Sequence, residues 1–347
     1  MEKTRQTILV TGGGGYIGAV LTEELVRSNY NVRVVDTFYW GKEPLDHLKG
    51  KVQIIQVDIR NITPQVLHGV SAVIHMAGLS NDPMAEFAPK ANFEINTKAT
   101  IRLANLCRHK GVKKFIFASS ASIYYNGTFS NPKIQNEDSH VAPKAAYSLS
   151  KRLAEIGIMK LASKSFCPII FRQGTVFGYS PRMRYDLVVN TMLKDALLKN
   201  KIVITGGGKQ YRPLVDVRDV VKAYIIALRA PEEKVCGQIF NLSYENYKIA
   251  NLAKLVKKTI ERTQHIKLKL EIDNSRKKDR SYRISTEKIK KTLGWTPSTS
   301  VEKSVSLMIS KLKNGESDFH HPKFYNIEWM KLLTDMHKTI KNLKRIF

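Results

Sequence analysis

Two side chains four residues apart carry the most specific chemistry in this 347-residue chain: Tyr147 and Lys151, in AYSLSKRLAEIGIMK. The stretch has helical periodicity, and positions i and i+4 share one helix face. An ammonium can therefore stand beside a phenol. An isolated tyrosine titrates near ~10 and is a poor base at neutral pH. A neighbouring cation favours the phenolate and lowers that value. Tyr147 is the candidate general acid or base, with Lys151 as its partner.

A second unusual concentration is TILVTGGGGYIG at residues 7–18. Glycine costs about 0.5–1 kcal/mol relative to alanine inside regular structure, so four in a row answer a local demand. Gly12, Gly15 and Gly18 recur every third position between a predicted strand and a predicted helix. Such glycines allow a tight turn, close approach of the backbone to a pyrophosphate, and close packing of helix on sheet. The helix N-terminus then offers unpaired N–H groups and a positive dipole end to phosphates. Asp36 closes the run NVRVVD eighteen residues after Gly18, where a carboxylate can accept from both ribose hydroxyls. That favours NAD over NADP, with Arg33 as a nearby cation arguing the other way. The positive ring of such a cofactor would reinforce the phenolate of Tyr147.

These groups need a scaffold, and the chain supplies its pattern. Apolar runs TILVT, NVRVVD, VQIIQVD, AVIHMAG, KFIFASS and CPIIFRQ alternate with helical patterns such as IGAVLTEELVRS and FEINTKATIRLANLCRHKG, the latter closed by Gly111. Near-continuous apolar strands separated by helices predict a parallel sheet covered on both faces. The fold class is α/β: a Rossmann-type doubly wound parallel sheet with a smaller α/β substrate-binding lobe. Residues 1–175 form the NAD-binding part, with 213–243 returning to it; 176–212 and 244–315 form the lobe. Residues 316–347 read as an aromatic segment and amphipathic helix appended to the C-terminus.

Composition narrows the class further. With 43% hydrophobic and 25% charged residues the chain has ordinary globular composition, and no stretch approaches the ~18 apolar residues of a membrane span. MEKTRQTILV lacks the apolar core of a signal peptide. Three cysteines are too few, and odd in number, for a disulfide framework, which predicts a reducing, cytoplasmic compartment. None has metal-ligand spacing, nor do His320 and His321, so no metal is expected. His75 reads as a packing histidine. The formal charge of +27 is the outlier; the basic residues are spread along the chain and not interleaved with stacking aromatics, so neither nucleic acid nor membrane is the expected partner.

Taken in order, the motifs resemble the extended short-chain dehydrogenases/reductases, the group of NAD-dependent epimerases and dehydratases that contains UDP-galactose 4-epimerase. TGGGGYIG is similar to their TGxxGxxG fingerprint. VDIR, HMAG (75–78), EIN (94–96), ASSASIYY, YSLSK, FRQGTVFGYSPRMR, RPLVDVRDVV and LGWTP follow as in epimerase-like members, over roughly residues 7–300. The resemblance implies cofactor contacts from Gly12, Gly15, Tyr16, Ile17, Gly18, Asp36, Asp58, Ile59, Ala77, Gly78, Asn96 and Ser119, besides Tyr147 and Lys151. It places Ser120 as the catalytic hydroxyl, with Ser122 as second choice. One departure is Tyr125, where relatives carry glycine.

The same strand end separates reactions. Sugar 4,6-dehydratases carry an Asp-Glu pair where Ala121-Ser122 stands, and UDP-glucuronate decarboxylases carry glutamate at Ser122. What remains is oxidation and reduction at a carbinol, so the resemblance implies a nucleotide-sugar epimerase, 4-epimerase-like, serving surface polysaccharide synthesis. A nucleotide diphosphate wants forked cations, and the motif positions assign substrate contacts to Thr175, Asn190, Arg212 and Arg276, with Ser120. Relatives pair as homodimers through two helices, here NFEINTKATIRLANLCRHK and AAYSLSKRLAEIGIMKLA. The alternatives are an oxidoreductase or dehydratase of the same family, or a non-catalytic dinucleotide- or nucleic-acid-binding protein.

Overall fold

The computed structural model describes residues 5–125, 132–274, 280–313 and 318–343. Seven strands build one sheet: β1 (Thr7–Thr11), β2 (Asn31–Asp36), β3 (Val52–Gln56), β4 (Val70–His75), β5 (Lys114–Ser120), β6 (Cys167–Gln173) and β7 (Gln238–Leu242). Their spatial order is β7-β6-β5-β4-β1-β2-β3, and every pairing is parallel. The order reverses between β1 and β4, and ligands of such sheets bind outside the carboxyl ends of the strands at that reversal. Helix α1 (Tyr16–Arg27) leaves β1, α2 (Thr100–His109) follows a π-helical turn at Glu94–Ala99, and α3 (Ala146–Met159) precedes β6. β3 is one of the two edge strands and is half-exposed, with Ile54 open to solvent; two apolar clusters cover the sheet's faces.

A second apolar core joins α4 (Val188–Lys199), α6 (Ile249–Gln264) and α7 (Val301–Lys313). Between them in sequence, α5 (Val217–Arg229) returns to the main core through Val217, Val220, Val221 and Tyr224, and leads to β7. The strand Tyr211–Asp216 instead joins a separate three-stranded sheet with Thr175–Phe177 and Glu245–Lys248. Among the described residues no helix is long and apolar enough to cross a membrane, and no cluster of His, Cys, Asp or Glu could hold a metal.

The cysteine expectation is corrected. Cys167 opens β6 and Cys236 lies just before β7, and they form a disulfide with Cα atoms 4.6 Å apart. The parallel register that sets Gln238 opposite Ile169, with Gly237 N–H donating to Pro168, brings these two entry points side by side. A count of three excludes a framework but not one cross-link, so it carries no argument for a reducing compartment. Cys107 is free and buried.

β4 ends in His75, fully buried, whose Nδ1 lies 2.6 Å from Thr11 Oγ1 and Nε2 2.8 Å from Thr100 Oγ1. Its ring stacks on Phe117, so it packs as expected, but on side-chain hydroxyls. Burial, with a smaller push from the Lys151 charge, lowers its pKa to about 3. In the unfolded chain the same group titrates near ~6.5. The unfolded state therefore binds the extra proton first, and stability is lost as pH falls from about 6.5 toward 3. Thermal melts of wild type and His75→Gln at about pH 7, 5.5 and 4 check this: the wild-type midpoint should fall more steeply. Equal slopes would remove His75 as the cause.

Candidate active site

The glycines meet the backbone where the sheet reverses. Gly12 has φ 75°, and a Cβ on it would meet the N of Ala77, two residues beyond the β4 end, at 2.7 Å. A Cβ on Gly18 would strike the Gly12 carbonyl oxygen. Gly15 N-caps α1 without a side-chain cap and lines the cleft above the sheet, leaving helix N–H groups for an anion. At the neighbouring strand end, Asp36 accepts from Gly14 N–H (3.0 Å) and Phe38 N–H (2.9 Å). Burial raises its pKa above the usual carboxylate range, against those bonds. Arg33 does not reach this region: it bonds Gln53, the Val66 carbonyl and the His68 carbonyl on the far side of β2.

Most of the predicted residues converge on this one cleft. Gly12, Gly15, Tyr16, Ile17, Gly18, Asp36, Asp58, Ile59, Ala77, Gly78, Ser119, Ser120, Ser122, Tyr147, Lys151, Thr175 and Arg212 all line it. Two do not, and both are buried scaffolding. Asn96 accepts from Leu79 N–H and donates to Leu79 O, fixing the loop beyond Gly78. Asn190 accepts from Gly178 N–H and donates to Tyr16 Oη and the Arg184 carbonyl. Its expected contact with substrate is thus replaced by a role in holding Tyr16, whose hydroxyl donates to Gly178 O. Ser119 lines the cleft, but its hydroxyl donates inward to Glu155, which is buried against Arg172. Asp58 caps its own turn and pairs with Arg60, the bond that lowers its pKa most. Arg276 lies outside the described residues.

Around the candidate base, the hydroxyls form a chain. Ser120 Oγ donates to Ser122 Oγ at 2.9 Å, and Ser122 Oγ is 2.9 Å from Ser148 Oγ. Ser122 is thus the buried support, while Ser120 is among the groups that pull the Tyr147 pKa down. The backbone at Tyr125 has φ −74°, so the missing glycine is not needed.

The expected electrostatics of Tyr147 are corrected. Its pKa is pushed up to about 12, first by burial and then by the Asp82 charge; Ser120 and Arg184 pull it down. Lys151 lines the same cleft. Its ammonium donates to Ala118 O (2.9 Å) and sits over the Phe117 ring, and burial lowers its own pKa to about 8. The helical spacing brought both side chains to one cleft, and Arg184 adds a further favourable charge for the phenolate.

Several cleft residues lie beyond the assigned site residues, although the two arginines of SPRMR were expected at the sugar-nucleotide cleft. Arg184 is held by Asp186 through two bonds of 2.9 and 2.7 Å. Arg182, its neighbour in SPRMR, sits over the Trp40 ring, and burial lowers its pKa to about 9. Arg280 belongs to the same basic run as Arg276 and pairs with Asp82; Arg212 lies over the Tyr282 ring. Gln173, at the end of β6, donates to Tyr224 Oη while its carbonyl oxygen is buried without a hydrogen-bond partner. Asn326 reaches the cleft from the C-terminal segment, and no sequence signal announced it. The arginine runs were the available signal for the others.

This geometry fits a dinucleotide. The glycine cradle would hold a diphosphate, Asp36 the adenosine ribose, and the unpartnered Gln173 oxygen could accept from a carboxamide. The sequence matches the NAD dependent epimerase/dehydratase family over residues 8–243. It is 30% identical to UDP-N-acetyl-alpha-D-glucosaminuronate decarboxylase of Bacillus cytotoxicus, over 70% of this chain and 77% of that protein. With UDP-glucuronic acid decarboxylase 1 of Danio rerio it shares 25% identity over 89% of this chain and 73% of that one. The solved UDP-glucose 4-epimerase of Thermotoga maritima superposes with a TM-score of 0.79 at 24% identity, covering 89% of this chain and 99% of that one. The chain belongs to the NAD-dependent epimerase/dehydratase family, and its cofactor is NAD.

Because a Cβ at position 18 meets a backbone carbonyl, Gly18→Ala should destabilise the fold by about 1–3 kcal/mol, the range for overpacking a filled site. It should also weaken NAD binding. Denaturant titration and NAD titration of the same sample check both. Unchanged values would show that the helix can move away from Gly12 freely.

Proposed function

We propose that this protein is an NAD-dependent nucleotide-sugar epimerase, 4-epimerase-like, working through a transient keto-sugar. The observation that carries the reading is one cleft lined by the glycine cradle, by Tyr147 with Ser120 and Lys151, and by two arginines, Arg212 and Arg280. Bound NAD supplies the hydride acceptor and donor, and its ring charge favours the phenolate.

Tyr147 takes the proton of the sugar hydroxyl, and Ser120 holds that oxygen in line. Arg184 supplies a favourable charge for the phenolate. Lys151, anchored on Ala118 O, faces the dinucleotide as a donor for ribose hydroxyls. Arg212 and Arg280 suit a diphosphate, with Asp82 holding Arg280 until an anion competes for it. Thr175 lines the same wall. The ketone then turns over and is reduced on its other face, with Tyr147 returning the proton.

The relatives whose names specify decarboxylation make that the second reading. Against it, Ser122 stands at the position where the resemblance implies a glutamate, and among the described residues no glutamate lines the cleft. The same absence argues against dehydration. For pairing into a dimer, α3 exposes Leu149 and Ile156, and the helical segment Pro89–Phe93 exposes Phe93.

Incubation with UDP-hexoses and UDP-uronic acids should interconvert one pair of epimers. Net NADH accumulation would mark an oxidoreductase, and CO2 release a decarboxylase; either result displaces the epimerase reading. Tyr147→Phe should lower turnover by about 10²–10⁴-fold, the usual contribution of a positioned acid or base. NAD binding, followed by absorbance of the purified protein, should persist. Full activity in Tyr147→Phe would refute the assigned base.

A further inference from the structure

The family match ends at residue 243, yet the segment after residue 317 reaches the cleft. Its first turn packs by aromatic contact: Tyr185 stands between Phe319 (ring centroids 5.0 Å) and Phe324 (5.4 Å), and Tyr185 N–H donates to Phe324 O. Tyr185 lies between Arg184 and Asp186 in the loop that also carries Arg182. The aromatic segment is therefore seated on the loop that brings three charged side chains to the cleft.

From that seat, Asn326 is buried and spends both ends of its amide on cleft walls. Its Oδ1 accepts from Arg182 Nη2 at 2.5 Å, and its Nδ2 donates to Ser80 Oγ at 2.8 Å. The amide orientation follows from its partners, since a guanidinium can only donate. Three residues on, at the start of helix α8 (Asn326–Leu343), Trp329 Nε1 donates to Tyr39 O at 2.5 Å. Tyr39 and Trp40 form the wall beside Asp36, and Arg182 lies over the Trp40 ring. One short segment thus fixes three separate parts of the cleft: the 39–41 wall, Ser80 beyond β4, and Arg182.

We propose that the C-terminal segment is a clasp for the dinucleotide, in which Asn326 positions Arg182 and Ser80 while Trp329 holds the Tyr39–Trp40 wall. This rests on the reading of the cleft as the NAD site. Asn326 is a positioning residue: it acts by holding a buried cation whose charge faces the space beside the glycine loop. A guanidinium without that anchor would have other rotamers open to it, and without Trp329 Nε1 the wall at Tyr39 would lose this hydrogen bond to α8.

The test measures NAD release by dilution or by competition with excess labelled NAD, in wild type, Asn326→Ala and Trp329→Phe. NAD should leave Asn326→Ala about tenfold faster, the size expected for losing a hydrogen bond to a charged group. Trp329→Phe should shift in the same direction by less. Melting without NAD should change little in either variant, while the stabilisation on adding NAD should shrink. Release at the wild-type rate in both variants overturns the clasp. So does an equal loss of melting temperature with and without NAD, which marks a merely structural contact. If Asn326→Ala does not fold, Trp329→Phe and Ser80→Ala carry the comparison. A wild type that takes up no NAD overturns the site reading along with the clasp, whereas loaded wild type with unaffected variants overturns the clasp alone.

Discussion

Everything in this molecule is arranged around a backbone approach that tolerates no side chain. Gly12 lies against Ala77, and Gly18 against the Gly12 carbonyl, at the point where β1 and β4 diverge. The approach pulls the N-terminus of α1 down onto the sheet, so its free N–H groups face the crevice rather than solvent. It also fixes where the ends of β2, β5 and β6 fall relative to the helix. Asp36, Ser120 and Gln173 sit at those ends, and so the distance between the two halves of a dinucleotide is set by strand spacing. Asn96 and Asn190 serve the same constraint from either side, one tying the loop after Gly78 and the other tying Tyr16 at the start of α1.

The electrostatics are those of a site that is short of negative charge. Arg182 and Arg184 are both buried, and Asp186 forms its ion pair with Arg184 while its charge also reaches Arg182. Arg182 is pushed down to about 9, with Arg184 as the second cause after burial. A buried charge without a counter-charge is costly, and an arriving anion removes that cost. Deeper in, burial drives both members of the Tyr147–Lys151 pair toward their neutral forms. A neutral tyrosine and a weakly held ammonium are a resting state; a bound cationic ring moves the tyrosine toward the form that can accept a proton.

The sequence was most legible where local rules and tertiary demand agree. Glycine spacing, the acidic end of β2 and the i, i+4 pair are short-range signals, and each of those residues lines the cleft. The parallel sheet was legible because its strands are apolar on both faces, and β3 departs from this as an edge strand must. What was not legible depends on contacts between distant segments. Asn190 reads like a ligand because asparagine suits one, but its amide is consumed by Gly178, Tyr16 and Arg184. The favourable charge of Arg184 on Tyr147 could not be found by helical spacing, because it comes from a loop thirty-seven residues later. The disulfide depends on strand register, which no cysteine count encodes.

The C-terminal segment shows the limit most clearly, and also why the large positive charge misleads. Its aromatics, Phe319, Phe324 and Tyr325, look like a surface patch in isolation, but they form the socket for Tyr185. The arginines that raise the net charge divide in the same way. Arg172 neutralises a buried glutamate, Arg184 a half-buried aspartate, and Arg33 and Arg102 satisfy backbone carbonyls. These cations are part of the internal bonding of the fold. A guanidinium has five donors on a rigid plane, which makes it suited to holding several loop carbonyls or one carboxylate in place. Net charge therefore says little about partners until each cation has been traced to what it holds.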